Sequence, residues 1–171
     1  MQITIPYAPR ELQLEIHEQL SKHRWAVLSL HRRAGKSVMC INELIKRALT
    51  NKLWNPRYAY IGPTYKQTKS IIFDYLKHYA GVIPGIKFNE QELSCTFPNG
   101  AKITLLGSEN PDSLRGNYFD GIIADEYAQI NPRLFPEIIR PALSDRKGFC
   151  YMVGTPCLLY TSPSPRDNTL S

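Results

Sequence analysis

Apolar and polar positions follow two different periods along the chain. Five short apolar runs have the length of buried strands, and they cover residues 25–30, 57–61, 101–106, 119–124 and 149–153. Four other segments carry apolar residues at helical spacing, and they cover residues 10–22, 36–49, 65–79 and 132–139. The alternation of strands and helices predicts an α/β fold with a mostly parallel sheet flanked by helices.

One pair of segments departs from that alternation. Residues 89–97 and 101–106 are separated by Asn99-Gly100, a dipeptide that favours the primed turns of tight hairpins. The sequence therefore predicts an antiparallel hairpin closed by a primed turn. At 171 residues the chain can bury one good core, which predicts one domain.

Gly35-Lys36-Ser37 lies where the first predicted strand gives way to a helix. The free backbone N–H groups at a helix start can hold phosphate oxygens. Lys36 would add a mobile charge for the terminal phosphates, and the Ser37 hydroxyl would be a ligand for Mg²⁺. The usual pattern has a first glycine where this chain has Leu30, so a basic helix start with a glycine turn is the alternative.

Asp125 and Glu126 end the apolar run at residues 119–124. Adjacent residues at a strand end project differently, so one acid can support Mg²⁺ while the other orients water. Nucleotide hydrolysis needs that division, with Asp125 supporting the metal and Glu126 polarising the water. A solvated strand end is the alternative for the pair taken alone.

Several segments in order resemble the ATPase portion of tailed-phage terminase large subunits, the motors that pump double-stranded DNA into procapsids. The matching segments are Tyr7-Ala8-Pro9-Arg10 with Gln13, Arg32–Ser37, Ile61–Gln67, Asn99-Gly100, Leu106-Gly107-Ser108, Leu114-Arg115-Gly116 and Gly154-Thr155-Pro156. The resemblance covers roughly residues 5 to 156. It implies a P-loop NTPase fold of the ASCE or RecA-like type, with three layers, and it implies ATP and Mg²⁺ as cofactors.

The resemblance also implies roles for single residues. Arg33, Ala34 and Gly35 would form the phosphate cradle with Lys36 and Ser37. Arg32 is similar to the arginine that senses the γ-phosphate within one subunit, and Arg115, eleven positions before Glu126, to the finger inserted into a neighbour's site.

Tyr7 and Gln13 resemble the adenine-binding segment, although Gln13 would also fit the solvated flank of an amphipathic helix. Gly154 and Thr155 resemble the motif that couples hydrolysis to movement, although Gly-Thr-Pro after a strand is also an ordinary turn.

Charge fits a polyanionic partner. The chain has 21 Lys and Arg against 15 Asp and Glu, for a net charge of +6, a mild excess that many proteins without nucleic-acid partners share. As implied by the resemblance, the partners are double-stranded DNA, the portal protein, the terminase small subunit and other copies in a ring, a pentamer. The implied location is the host cytoplasm, transiently at the portal vertex of the procapsid.

Other site classes find little support in the residue pattern. No apolar run approaches the length of a membrane span. The four cysteines lack paired metal spacing and are expected to be reduced thiols. The histidines show no metal spacing either, and His31 is expected to be a bystander beside the loop.

Residues 157–171 depart from the family pattern, because they continue neither as strand nor as helix. They resemble translated sequencing-adapter DNA, and we expect a non-native tail after an incomplete ATPase domain at residues 1–156. A natural Ser/Pro tail is the alternative. The loss of strands that normally follow would leave a sheet edge unpaired, so we expect an isolated chain of marginal stability and weak activity.

Two other functions stay open on sequence grounds. Asp125-Glu126-Tyr127 also fits a helicase-like nucleic-acid translocase. The chain would alternatively be a scaffold that keeps the fold without turnover.

Overall fold

The computed structural model describes residues 2–156. Its strands are β1 (Trp25–Ser29), β2 (Arg57–Gly62), β3 (Lys87–Asn89), β4 (Ser94–Thr96), β5 (Lys102–Gly107), β6 (Gly121–Asp125) and β7 (Phe149–Gly154). Its α-helices are α1 (Glu11–Ser21), α2 (Lys36–Thr50), α3 (Tyr65–Gln67), α4 (Phe73–Ala80) and α5 (Arg140–Ser144). Short 3-10 turns lie at Pro111–Leu114 and Tyr127–Gln129.

The strands form one sheet in the order β1-β7-β6-β2-β5-β4-β3. The neighbours from β1 to β5 are parallel, whereas β4 pairs antiparallel with β5 and with β3. The central strands β2 and β6 are buried on both faces, as expected when helices cover both sides of a parallel sheet. The predicted α/β class with a mostly parallel sheet is confirmed.

Two hydrophobic cores make the fold three layers thick. Tyr58 and Tyr60 of β2 pack with α2 and α4 on one face of the sheet. Ala59 and Ile61 pack on the other face with the helical segment that ends in α5. Alternate residues of one strand therefore serve opposite cores, because strand side chains have a period of two.

The carboxyl ends of the parallel strands place the predicted motifs at one edge of the sheet. Ser29 of β1 is paired with Gly154 of β7, and Asp125 of β6 is paired with Val153 of β7. The loop after β1, the acidic pair after β6 and Thr155 after β7 therefore leave the sheet side by side. Ligands of open α/β sheets bind at this edge.

The predicted hairpin is present, but the prediction of a primed turn was wrong. Gly100 N–H donates to Phe97 O, and Phe97 N–H donates to Ala101 O. Gly100 has a φ of +89°, whereas Asn99 is not among the described residues with positive φ. Pro98 explains the difference, because its ring holds φ near −65° and fits the first central position of a type I turn. The sequence also missed β3, which pairs with β4.

Two predicted helices differ in detail. The helix predicted at 65–79 contains a π-helical turn, Thr68–Ile72, between α3 and α4. The helix predicted at 132–139 begins later, as a π-helical turn at Phe135–Ile139, and continues through α5 to Ser144. Pro136 and Pro141 lack the N–H that a regular α-helix requires.

Strand β1 lies at the edge of the sheet and pairs on one side with β7. Its Trp25 is 42% exposed and its Val27 is 64% exposed. The Trp25 ring packs edge-on against Phe135, with ring centroids 5.9 Å apart. The tail predicted at residues 157–171 lies outside the described residues, and its non-native origin stays a prediction.

Candidate nucleotide site

The loop from Leu30 to Gly35 joins β1 to α2 and closes on itself. Ala34 N–H donates to His31 O at 3.0 Å. Gly35 has a φ of +72°, and a Cβ there would lie 2.7 Å from the Gln13 amide nitrogen. Both facts favour glycine at this position, because it has no side chain to clash and adopts left-handed conformations at little cost.

Two side chains from the start of α1 brace this loop. The guanidinium of Arg10 donates to Arg33 O at 2.8 Å. Gln13 is 4% exposed, and its amide nitrogen donates to Gly35 O at 3.2 Å and Ala34 O at 3.4 Å. The Gln13 carbonyl accepts from Arg10 N–H at 2.9 Å. Gln13 thus contacts the loop backbone with its amide group, and its predicted part in adenine binding stays a prediction.

Lys36 begins α2 and lines a cavity of about 390 Å³. It is 8% exposed, and within residues 2–156 its ammonium group has neither a hydrogen bond nor an ion pair. A buried charge without a partner is costly. The free ammonium beside the N-terminus of α2 therefore fits an anion such as a phosphate.

Asp125 connects the acidic motif with the loop. It is 4% exposed, and its Oδ2 accepts a hydrogen bond from Ser37 Oγ at 3.0 Å. Its Oδ1 accepts from Glu126 N–H at 2.9 Å. Two segments 88 positions apart in sequence thus meet through a direct hydrogen bond.

Tyr60 of β2 is a third donor to Asp125 that sequence reasoning missed. Its hydroxyl donates to Asp125 Oδ2, and the side chain is 1% exposed. Burial, with a further contribution from the Asp125 charge, raises the pKa of Tyr60 well above its ordinary value. A tyrosine in the middle of an apolar strand gives no sequence signal for this contact.

Glu126 is held in an unusual backbone conformation at the mouth of the cavity. Its φ is +52°, in the left-handed region. Its Oε1 accepts from Thr155 Oγ1 at 3.2 Å, and its Oε2 lies 3.5 Å from the amide nitrogen of Gln129. The segment after β7 is therefore in direct contact with the carboxylate that the sequence proposes for water activation.

The cavity brings together six of the predicted site residues and adds others. The predicted residues in its wall are Arg32, Gly35, Lys36, Ser37, Asp125 and Glu126. The added ones include Val38, Tyr60, Gln67, Ile71, Tyr75 and Gln129. Those that do not line it are Tyr7, Gln13, Arg33, Ala34, Arg115, Gly154 and Thr155. Four of these seven nevertheless border it: Arg33 and Ala34 belong to the loop, Gln13 braces the loop, and Thr155 binds Glu126.

Tyr7 lies away from the wall of this cavity, against α1 and α4. Its hydroxyl forms a hydrogen bond with His17 at 2.8 Å, and its ring packs edge-on against Tyr79. Burial raises the pKa of Tyr7 to about 12. Its predicted contact with adenine stays a prediction.

Arg115 and Gly154 occupy different surroundings. Arg115 is exposed and pairs with Asp112 at 3.1 Å. It lines a neighbouring cavity of about 590 Å³ that shares Pro63 and Gln129 with the Lys36 cavity. Gly154 lies under the ring of Tyr127, whose Cε1 would be 2.9 Å from a Cβ at that position.

A buried ion cluster anchors the helix that carries Lys36. Glu43 of α2 is fully buried and contacts His17 at 2.7 Å, Arg47 at 2.7 Å and Lys46 at 3.1 Å. Burial raises the pKa of this carboxyl, but the His17 hydrogen bond and the Lys46 and Arg47 charges prevail and hold it below its ordinary value of 4.5. Sequence reasoning assigned no role to any of these residues.

The donor set at Ser37 and Asp125 fits Mg²⁺, which prefers hydroxyl, carboxylate, phosphate and water oxygens. No cluster of three or more His, Cys, Asp or Glu suited to a metal occurs in the part of the chain that is described. A nucleotide-bound Mg²⁺ needs only one or two protein ligands, so the fit stands. None of the helices between residues 2 and 156 is both long and apolar enough to cross a membrane.

Known proteins resemble the chain in sequence. A family model described as the N-terminal part of the T4likevirus-type terminase large subunit matches residues 27–153. The terminase large subunit of Thermus virus P23-45 is 29% identical over 173 residues, a match that covers 88% of this chain and 34% of the relative. The chain thus spans about a third of that relative's length.

Solved structures resemble it in fold. The large terminase ATPase domain of Thermus phage P74-26 has a TM-score of 0.75 at 27% identity, covering 90% of this chain and 67% of that domain. The large terminase of a thermophilic bacteriophage, solved in complex with ATP-gamma-S, has a TM-score of 0.69 at 15% identity and covers 86% of this chain and 38% of its own. At that identity the second likeness concerns the fold alone.

Proposed function

Since the chain belongs to the terminase large subunit family and matches its N-terminal part, we propose that it hydrolyses ATP to drive double-stranded DNA into a viral procapsid. The observation that carries the proposal is the convergence of Lys36, Ser37, Asp125 and Glu126 on one cavity. The Ser37–Asp125 hydrogen bond joins the two motifs directly.

Nucleotide binding rests on the loop and the start of α2. The backbone N–H groups from Ala34 to Ser37 and the Lys36 ammonium hold the phosphates. Ser37 and Asp125 hold Mg²⁺, which when bound neutralises phosphate charge and orients the terminal phosphate for in-line attack. The buried, unpaired Lys36 supports this assignment because phosphate supplies the charge that it lacks.

Hydrolysis rests on Glu126. Its carboxylate accepts a proton from the attacking water and aligns it, a contribution of about 10²–10⁴ in rate. Thr155 holds one carboxylate oxygen, so a displacement of the segment after β7 changes where that base points. Gly154 and Thr155 are therefore the elements that couple hydrolysis to movement in this proposal.

Two arginines stabilise charge that develops in the transition state. Arg32 lines the cavity and acts on the γ-phosphate of its own subunit. Arg115 is exposed and outside that cavity's wall, a placement that suits action in a neighbouring subunit. Such a finger is worth about 10³–10⁵ in rate, so the motor works as a ring of copies, a pentamer by resemblance.

The partners follow from the family. They are double-stranded DNA, the portal protein and the terminase small subunit, met in the host cytoplasm at the portal vertex. The positive net charge of +6 favours the DNA, and the affinity for DNA should therefore fall steeply with salt.

Turnover by three proteins tests the proposal. Wild type should hydrolyse ATP with Mg²⁺, Lys36→Ala should lose nucleotide binding, and Glu126→Gln should bind nucleotide but lose about 10²–10⁴ in rate. Glu15→Gln, at an exposed position on α1, is the matched control and should behave like wild type. Equal rates in all of these proteins would favour the scaffold and refute the ATPase.

A mixing experiment separates the ring from a helicase-like translocase. Wild-type subunits are mixed with increasing fractions of Arg115→Ala, and DNA-stimulated hydrolysis is measured. A finger that acts between subunits predicts a loss steeper than the mutant fraction. A strictly proportional loss would contradict the role of Arg115 in trans.

A further inference from the structure

Asp125 has more hydrogen-bond donors than its predicted role requires. An ionised carboxylate offers about four acceptor positions on its two oxygens. Glu126 N–H occupies one on Oδ1, while Ser37 Oγ and the Tyr60 hydroxyl both donate to Oδ2. The carboxylate is thus fixed at both ends and keeps acceptor capacity on the side of the cavity.

The two donors on Oδ2 differ in their other duties. Ser37 is the residue after Lys36 at the start of α2, only partly buried, and its oxygen is also the proposed ligand for Mg²⁺. Tyr60 is 1% exposed and sits in the middle of β2, paired with Ile123 of β6. Its hydroxyl is therefore a fixed donor, supported by the same sheet that carries Asp125.

We propose that Tyr60 is a positioning residue that holds Asp125 in its metal-facing orientation. The hydroxyl keeps Asp125 in place when Ser37 turns its oxygen towards Mg²⁺, so the two metal ligands do not depend on each other for their orientation. The inference rests on the proposed ATP·Mg²⁺ function and adds a residue that acts through Asp125. Hydrogen bonds to metal-binding carboxylates commonly matter at this level, and their loss costs about 10–100-fold in metal affinity or activity.

The chain offers a matched control two residues away. Tyr58 is also a buried tyrosine of β2, on the same face of the sheet, but its hydroxyl donates to Arg47 O and accepts from Asn51 at the other end of the strand. Tyr60→Phe and Tyr58→Phe therefore remove the same group from the same strand, near and far from Asp125.

The readout is the binding of ADP carrying a fluorescent label, measured on the full chain with EDTA and with increasing Mg²⁺. Tyr60→Phe should bind the labelled ADP in EDTA within about twofold of wild type, and the Mg²⁺ concentration at half effect should rise by about 10–100-fold. Tyr58→Phe should match wild type in both measurements. Asp125→Asn added to Tyr60→Phe should produce little further change, because both act through one carboxylate.

Each other outcome overturns a defined part of the reasoning. If Tyr60→Phe keeps the Mg²⁺ response of wild type, or loses binding equally in EDTA, Tyr60 does not act through the metal site. A Tyr60→Phe protein that unfolds at much lower urea than Tyr58→Phe would assign the hydroxyl to folding and overturn the inference. If wild type binds no nucleotide, or Lys36→Ala binds as well as wild type, the proposed function itself fails.

Discussion

Gln13→Ala is expected to weaken nucleotide binding without changing which base the site accepts. The Gln13 amide nitrogen donates to the carbonyls of Gly35 and Ala34 at 3.2 and 3.4 Å. A neutral hydrogen bond contributes about 0.5–1.5 kcal/mol net. Since both bonds are long, we expect the loop to lose about 1–2 kcal/mol of stabilisation.

That loss translates into affinity. When the binding-competent loop is less populated, the apparent affinity falls by the same factor. A loss of about 1–2 kcal/mol corresponds to about a 5–30-fold increase in Kd. Because Gln13 contacts the loop backbone, ATP and GTP should lose affinity by the same factor.

Competition of ATP and GTP against a fluorescent nucleotide measures both constants. Gln19→Ala, which alters an exposed glutamine on the same helix, is the control and should leave both Kd values unchanged. A loss confined to ATP would mean that Gln13 reads the base, as its resemblance to the adenine-binding segment implies. Unchanged affinity for both nucleotides would refute the bracing role.

Two further predictions concern stability and association. Glu43→Gln should lower the free energy of unfolding in urea by about 2–3 kcal/mol, because it discharges a fully buried carboxylate with three cationic partners, whereas Glu18→Gln, in an exposed pair with Lys22, should cost less than about 0.5 kcal/mol. The folded pKa of Glu43 is lowered from 4.5, so its contribution is present above pH 4.5 and disappears as the pH falls through the lowered value; the gap between wild type and Glu43→Gln should therefore shrink in acid. Val27→Lys should reduce self-association in light scattering, because Val27 is 64% exposed on the edge strand β1 and charged residues block edge pairing, while Thr50→Lys, at an exposed position at the end of α2, should have no such effect.

Those two predictions fail under clear conditions. Equal urea midpoints for Glu43→Gln and Glu18→Gln, or a gap that widens in acid, would refute the account of the buried cluster. Scattering that falls equally for Val27→Lys and Thr50→Lys would point to net charge rather than the strand edge.

The parts of the site that the sequence predicted are those that use local signals. Gly35-Lys36-Ser37 and Asp125-Glu126 each combine a residue type with a place next to an apolar run, and a parallel sheet brings such places to one edge. Gln13 was predicted at the site for adenine binding, whereas its contacts in the structure are with the loop backbone.

The parts that the sequence did not predict depend on contacts between distant segments. Tyr60 has the residue type of any buried strand position, and its significance appears only when β2 lies beside β6. Glu43 belongs to an amphipathic helix, where a glutamate is ordinarily exposed, and only the packing of α1 on α2 gives it His17 as a partner. The turn at Asn99-Gly100 was predicted wrongly because the preceding Pro98 was given no weight.

The left-handed backbone at Glu126 places stability and chemistry in opposition at one position. For a side chain other than glycine that conformation costs about 1–2 kcal/mol, and the carboxylate it presents is the one that meets Thr155. Glycine there would relax the chain and raise the melting temperature while removing the base. Selection for robustness alone would thus erode this residue, and its presence records a cost that only turnover can offset.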